Sequence, residues 1–196
     1  LSPWIYEKLS RTDKESVRKG TFDIVLLFAA LCLVSTLFAP EIMLILAPKS
    51  YSEGVYVIPP VAAGVFFTAL YSLYMRIELY YKKTGFAAIA TCIAAAANIL
   101  LNYIFIRRFG FIAAGYTTMA CYILLSLFHY YNVKKKGYAD ILNNRGMFLI
   151  SILLIVATLI ISGLYSHMII RYSMIVVMFA IAVIKRKQII SLIKIK

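Results

Sequence analysis

Residues 98–118 read NILLNYIFIRRFGFIAAGYTT, with Asn98 and Asn102 one helical turn apart, then Arg107-Arg108, then Gly110, inside an otherwise oily run. Which solvent surrounds this stretch decides the fold. Water gives no reason for so many unbroken apolar side chains, whereas lipid would force the two carboxamides to face protein. Composition settles the choice. Of the 196 residues, 63% fall in the apolar and aromatic class and mean hydropathy is +0.86, against roughly 45–50% apolar in an ordinary soluble domain. Apolar runs recur at about 22–46, 55–81, 84–106, 111–133, 147–165 and 168–184. Each is near the ~20 residues that cross ~30 Å of hydrocarbon. In lipid each segment must satisfy its own backbone hydrogen bonds, so runs this long are expected to be helices. The expected fold is therefore all-α integral membrane with six transmembrane helices. The opening stretch becomes the end of the third helix, an external hairpin at Gly110, and the start of the fourth.

The charge of +13 in a soluble chain would suggest nucleic acid. Here the cations lie between the apolar runs, where Lys and Arg set topology, so no nucleic-acid partner is expected. With residues 1–21 inside, the Lys82-Lys83 loop, the 134–146 loop and the tail fall on the same side. That side holds sixteen Lys and Arg, and Lys49, Arg107, Arg108 and Arg171 make four opposite. Both ends are then cytoplasmic. The organisation expected is a polar lead-in at 1–21, four helices in 22–133, a basic loop at 134–146, two additional helices in 147–184 and a basic tail at 185–196. Thr12 and Glu15 have the spacing of a capping box for a short amphipathic helix. The tail, KRKQIISLIKIK, reads as a stop-transfer segment that could also lie along anionic lipid. The chain opens on Leu1 without the charged, apolar and cleavage regions of a signal peptide, and reads as a piece that continues upstream.

Catalysis finds little support. There is no GxxxxGK[ST], HExxH or GxSxG, and only His129 and His167 are present. Cys32, Cys92 and Cys121 sit singly in apolar runs, which supports packed thiols rather than disulfides or zinc. No enzyme, metal or resident cofactor is expected.

What remains is a set of polar groups where lipid would penalise them. Asn98 and Asn102 share one face of the third helix, and that face must look into the bundle. They either line a cavity for a sugar or phosphate, or hydrogen-bond between helices at ~0.6–2 kcal/mol each; the preceding Ala94–Ala97 run favours close packing. Arg76 and Glu78 are two positions apart, hence on different faces. Arg76 is an anion contact or a side chain snorkelling ~9 Å toward Lys82, and Glu78 is its counter-charge or a proton carrier. Tyr71, Tyr74, Tyr80 and Tyr81 fit an interfacial aromatic belt. Pro40 should kink the first helix near its outer end, Pro59 and Pro60 should open the second, and His167 and Arg171 are expected at external headgroups.

The segments APEIMLILAPKSY, VIPPVAAGVFFTALYSLY and KKTGFAAIATCIAAAANILLNYIFIRRFGFIAAGYTTMACY resemble the C-terminal half of bacterial polysaccharide flippases. These belong to the multidrug/oligosaccharidyl-lipid/polysaccharide exporter superfamily. The likeness spans most of residues 1–133, most specifically Lys82-Lys83-Thr84, Asn98, Asn102, Gly110 and Ala113-Ala114; residues 147–196 match only as extra terminal helices. It departs near Arg107, where the family usually has Pro, and near Ala113, where it usually has Gly. The resemblance implies a two-lobed fold alternately open to each side of the bacterial cytoplasmic membrane, with the N-terminal lobe of the same protein missing here. It implies transport of undecaprenyl-pyrophosphate-linked oligosaccharide for O-antigen, capsule or exopolysaccharide synthesis, with membrane lipids as the other partner. A proton or sodium gradient, or the membrane potential, would drive it. Arg76, Glu78, Asn98 and Asn102 are then the candidates for the cargo cavity. A multidrug or metabolite cation-coupled antiporter of the same superfamily is the alternative, disfavoured by the scarcity of acids away from helix ends. A membrane scaffold is the third reading.

Overall fold

The computed structural model describes residues 1–82, 85–187 and 190, with Phe86 described by its backbone alone. Lys83 and Thr84, part of the most specific resemblance, and most of the basic tail lie outside the described residues. Among the described residues the chain is all-helical. In order come α1 (Ser2–Ser10), α2 (Lys14–Leu37), α3 (Ala39–Leu46), a 3-10 segment (Lys49–Val57), α4 (Ile58–Tyr80), α5 (Gly85–Phe109), α6 (Ala113–Lys135), a short 3-10 turn (Ala139–Ile141), α7 (Asn144–Gly163) and α8 (Met168–Ile184).

Among the described residues, each apolar run of the sequence is helical over most of its length. Four helical stretches, Lys14–Leu37, Lys49–Tyr80, Ala87–Phe109 and Asn144–Gly163, are long and apolar enough to cross a membrane. The helix α6 has comparable length, 23 residues, but carries Thr117, Thr118, Ser126, His129 and Asn132. The 17 residues of α8 span about 25 Å. Polarity is distributed as lipid requires. Leu44, Ile45, Ile99, Ile169, Phe179 and Ile184 are more than two-thirds exposed, while Thr36, Glu78, Ser126, His129, Thr158 and Arg171 are buried. Water would penalise that apolar exterior, since soluble monomers keep contiguous apolar patches small.

Two compact units divide the chain: residues 1–37 with 140–196, and residues 38–139. Within the first of these units α7 packs on α2. In the first unit, Val17, Thr21, Val25, Ala29, Cys32 and Thr36 recur every three or four residues and form the buried face of α2. Met147, Ser151, Leu154, Thr158 and Ile161 do the same on α7, so the two stripes meet at helical period. Below them, Ile5 and Leu9 bury one side of α1.

The start of α2 differs from the capping-box expectation. Thr12 takes a positive φ of 61°, and Asp13 is the cap: its Oδ1 accepts the Ser16 N–H at 3.1 Å and its Oδ2 the Lys8 Nζ at 3.0 Å. The register fails by one residue because Asp13 offers a stronger, charged acceptor to a first-turn N–H. No short amphipathic helix follows; α2 runs unbroken for 24 residues. The hydrogen bonds from Ser16, then that from Lys8, hold the Asp13 carboxyl down from its ordinary 3.8 to about 2. A depressed carboxyl stabilises the fold above its unfolded value, and that contribution disappears as pH falls from about 4 through about 2. Thermal unfolding in detergent should therefore show a pH-dependent fall over this window that is smaller in Asp13→Asn. An identical pH profile for the variant contradicts the capping role.

The far end of α2 is governed by Pro40. The helix stops at Leu37, as expected for a proline with no N–H to give the Thr36 carbonyl four residues back. The hairpin of α7 and α8 supplies the missing donors. Tyr165 Oη donates to Thr36 O at 3.1 Å, and Arg171 Nη1 donates to Leu37 O at 2.7 Å. Arg171 is only 1% exposed, and its guanidinium lies 4.9 Å from the centre of the Tyr172 ring. It is thus a buried helix cap, not the headgroup contact expected. A cation at the negative end of the α2 dipole satisfies both charge and hydrogen bonding.

In the second unit α6 packs along α4 on one side and α5 on another. Pro59 and Pro60 open α4 as expected. At the crowded end of the α4–α6 contact, a Cβ on Gly115 would sit 2.9 Å from Pro60 Cγ and 3.3 Å from the Val57 carbonyl oxygen, so any larger residue would force the helices to shift. Gly110, at φ +76°, makes the turn between α5 and α6. Arg107 and Arg108 end α5 on its exposed side, and the Arg107 guanidinium lies 4.0 Å from the Tyr103 ring centre. Just 6% of the apolar window of α5 is buried.

Candidate functional site

Both polar clusters of the second unit are built on α6, whose inward residues recur at helical spacing from Thr117 to Asn132. Toward α5, Asn102 Nδ2 donates to Asn98 Oδ1 at 3.0 Å, Asn98 Nδ2 donates to Thr118 Oγ1 at 3.3 Å, and Thr117 Oγ1 donates to Asn102 Oδ1. The two asparagines therefore do look into the bundle, and their carboxamides are engaged with each other and with α6. That is the geometry of interhelical hydrogen bonding. Asn102→Ala removes two of these bonds and should cost ~0.6–2 kcal/mol; reversible unfolding in detergent reads it, and a loss below a few tenths would refute the network's contribution.

Toward α4 lies a more strongly polar group. Glu78 is 3% exposed, His129 0% and Asn132 6%. Glu78 Oε2 is 2.9 Å from His129 Nδ1, and Glu78 Oε1 accepts from Asn132 Nδ2, also at 2.9 Å. His129 and Asn132 are three apart on α6, hence on one face, and that face meets the last two turns of α4. The imidazole is stacked on Tyr71 at 5.7 Å, and Tyr71 on Tyr122 at 6.3 Å. Tyr74, 4% exposed, makes an edge contact with Tyr130 at 5.8 Å. Tyr71 thus forms one wall of the cluster, and Tyr74 meets α6 through Tyr130. Tyr81 stacks on Tyr138 at 3.8 Å.

Glu78, expected as a counter-charge to Arg76 or as a proton carrier, has its carboxylate held by His129 and Asn132. Arg76 is half-buried on a different face of α4, as the two-residue separation required. Of the four sequence candidates, Asn98 and Asn102 form one network and Glu78 belongs to another. Sequence reasoning passed over His129 and Asn132. Their i, i+3 spacing was visible, but the match to Glu78 runs across 51 and 54 positions, and no local pattern reports that.

Chemically, the cluster can hold a proton or a net charge away from lipid. With His129 protonated the pair is an ion pair; with His129 neutral it is a hydrogen-bonded carboxylate steadied by Asn132. Adding or removing one proton changes the charge of a buried contact between two long helices, and intramembrane ionisable groups commonly serve such a role. Among the described residues, no group of three His, Cys, Asp or Glu stands close enough to hold a metal ion. Comparison with protein-family models, with curated proteins and with solved structures found no match for this chain.

Proposed function

We propose that the chain is the C-terminal part of a membrane transporter that moves an undecaprenyl-pyrophosphate-linked oligosaccharide across the bacterial cytoplasmic membrane by alternating access. The observation that carries this reading is the buried Glu78–His129–Asn132 cluster, set between helices whose outer surfaces are apolar. A scaffold has no need to bury a carboxylate beside an imidazole, which carries a large desolvation cost. The sequence resemblance supplies the cargo class. A sugar and pyrophosphate cannot cross hydrocarbon unaided, so polar side chains must replace water while the polyprenyl tail stays in lipid. In this reading six helices cross, both ends are cytoplasmic, and Arg76 contacts the anionic pyrophosphate. Asn98 and Asn102 fix α5 to α6 and offer amides to the cargo path. Glu78 and His129 carry the coupling proton, and an inside-negative potential assists outward movement of anionic cargo.

The deep burial of Glu78 also favours the second reading, a cation-coupled multidrug or metabolite antiporter. Deleting the gene separates the two. Loss of surface polysaccharide, with lipid-linked oligosaccharide accumulating on the cytoplasmic face and both restored by the intact gene, is the expected result. Unchanged polysaccharide with heightened sensitivity to cationic drugs would replace the flippase reading by the antiporter.

A further inference from the structure

Within the first unit, a cleft of about 500 Å³ opens beside the first two turns of α2, and three of its lining residues are the cations Lys14, Arg18 and Lys19. Its remaining wall is formed by Glu15, Phe22, Asp140 and Asn143. We propose that this cleft binds a phosphate-bearing anion, either the headgroup of an acidic phospholipid or free phosphate. The inference rests on α2 crossing a membrane and is independent of the cargo.

The cleft stands where α2 turns from polar to apolar, so on that reading it lies at headgroup depth. Its cations are not all committed. Lys14 Nζ is taken by Asp140 Oδ2 at 2.8 Å, and that bond keeps the Asp140 carboxyl ionised below its ordinary range. Arg18 spends Nε, at 3.1 Å, and Nη2 on the Asp140 carbonyl oxygen, which leaves other donors of a five-donor fork. Lys19 is exposed beside it. Setting Lys14 against Asp140 and Glu15 against one of the other two cations leaves the cleft with one net positive charge. The fork of Arg18 suits two phosphate oxygens, and Lys19 supplies a point charge. Phe22 provides an apolar floor: its ring lies against Gly146, where any Cβ would meet Phe22 Cε2. A phosphate with an apolar surface beneath it matches a phospholipid at the glycerol level.

The test uses the intact protein in neutral detergent micelles, titrated with phosphatidylglycerol or phosphatidylcholine and read by native mass spectrometry, with inorganic phosphate as competitor. Preferential retention of phosphatidylglycerol is expected, weakened about tenfold in Arg18→Gln/Lys19→Gln. It should be kept in Arg18→Lys/Lys19→Arg and in Lys134→Gln/Lys135→Gln, which removes two cations from elsewhere. Retention unaffected by millimolar phosphate identifies the lipid headgroup; displacement by phosphate identifies the free anion as the ligand. Equal retention of both lipids with no effect of phosphate overturns the proposal. So does a loss in Lys134→Gln/Lys135→Gln as large as in Arg18→Gln/Lys19→Gln.

Discussion

Replacing His129 by alanine should destabilise the fold by roughly 3 kcal/mol, because one oxygen of the buried Glu78 carboxyl loses its partner. The reason is geometric. Glu78 Oε1 would keep Asn132, but Oε2 would lose the imidazole 2.9 Å away, and no water is expected at a site 3% exposed. Glu78→Ala should cost a similar amount by leaving the His129 and Asn132 donors without their acceptor. The informative comparison is Glu78→Leu/His129→Leu/Asn132→Leu. Apolar replacement of a whole buried polar group is often neutral or stabilising, so this triple variant should unfold close to the wild-type midpoint although each single change is damaging. Unfolding in detergent, followed by helix content, checks the series. If the triple variant is as unstable as the sum of the singles, the three side chains do not act as one unit.

The second large effect concerns the cap on α2. Arg171→Leu should cost about 2–3 kcal/mol, because it removes a charged donor from the buried Leu37 carbonyl. Tyr165→Phe, which leaves the ring and deletes only the donor to Thr36 O, should cost about 1 kcal/mol. Pro40→Ala provides the direct control. It restores a backbone N–H that can reach Thr36 O, so the cost of Tyr165→Phe should shrink in the Pro40→Ala background while that of Arg171→Leu should not. Equal Tyr165→Phe costs in both backgrounds, measured by a double-mutant cycle, would show that the proline is not why the tyrosine is needed.

These two regions show where a sequence can be read and where it stops. The apolar runs dictated helices because lipid leaves a backbone no other partner, and Pro40, Pro59, Pro60 and Gly110 punctuated them through fixed local chemistry. The inward direction of Asn98 and Asn102 followed from their four-residue spacing, and both bond to α6. Long-range pairing was not legible. Arg171 looked like a headgroup contact because its meeting with Leu37 lies 134 positions away, and the partners of Glu78 stayed hidden because His129 and Asn132 belong to another helix. The same limit hid the association of α7 with α2, which makes the terminal helices part of a compact unit with the first. Asp13 was missed for a different reason: the capping-box pattern fits Thr12 and Glu15 equally well one residue earlier, and only the positive φ of Thr12 decides between them.

The central claim is that Glu78, His129 and Asn132 serve transport instead of only holding α4 to α6. The most direct measurement uses the triple leucine variant, in the full-length protein, at wild-type abundance and with a wild-type unfolding midpoint. Translocation of lipid-linked oligosaccharide is followed in proteoliposomes under an imposed proton gradient and membrane potential. The account predicts that this well-folded variant loses gradient-driven translocation. Translocation at the wild-type rate would contradict it and leave the cluster a packing element.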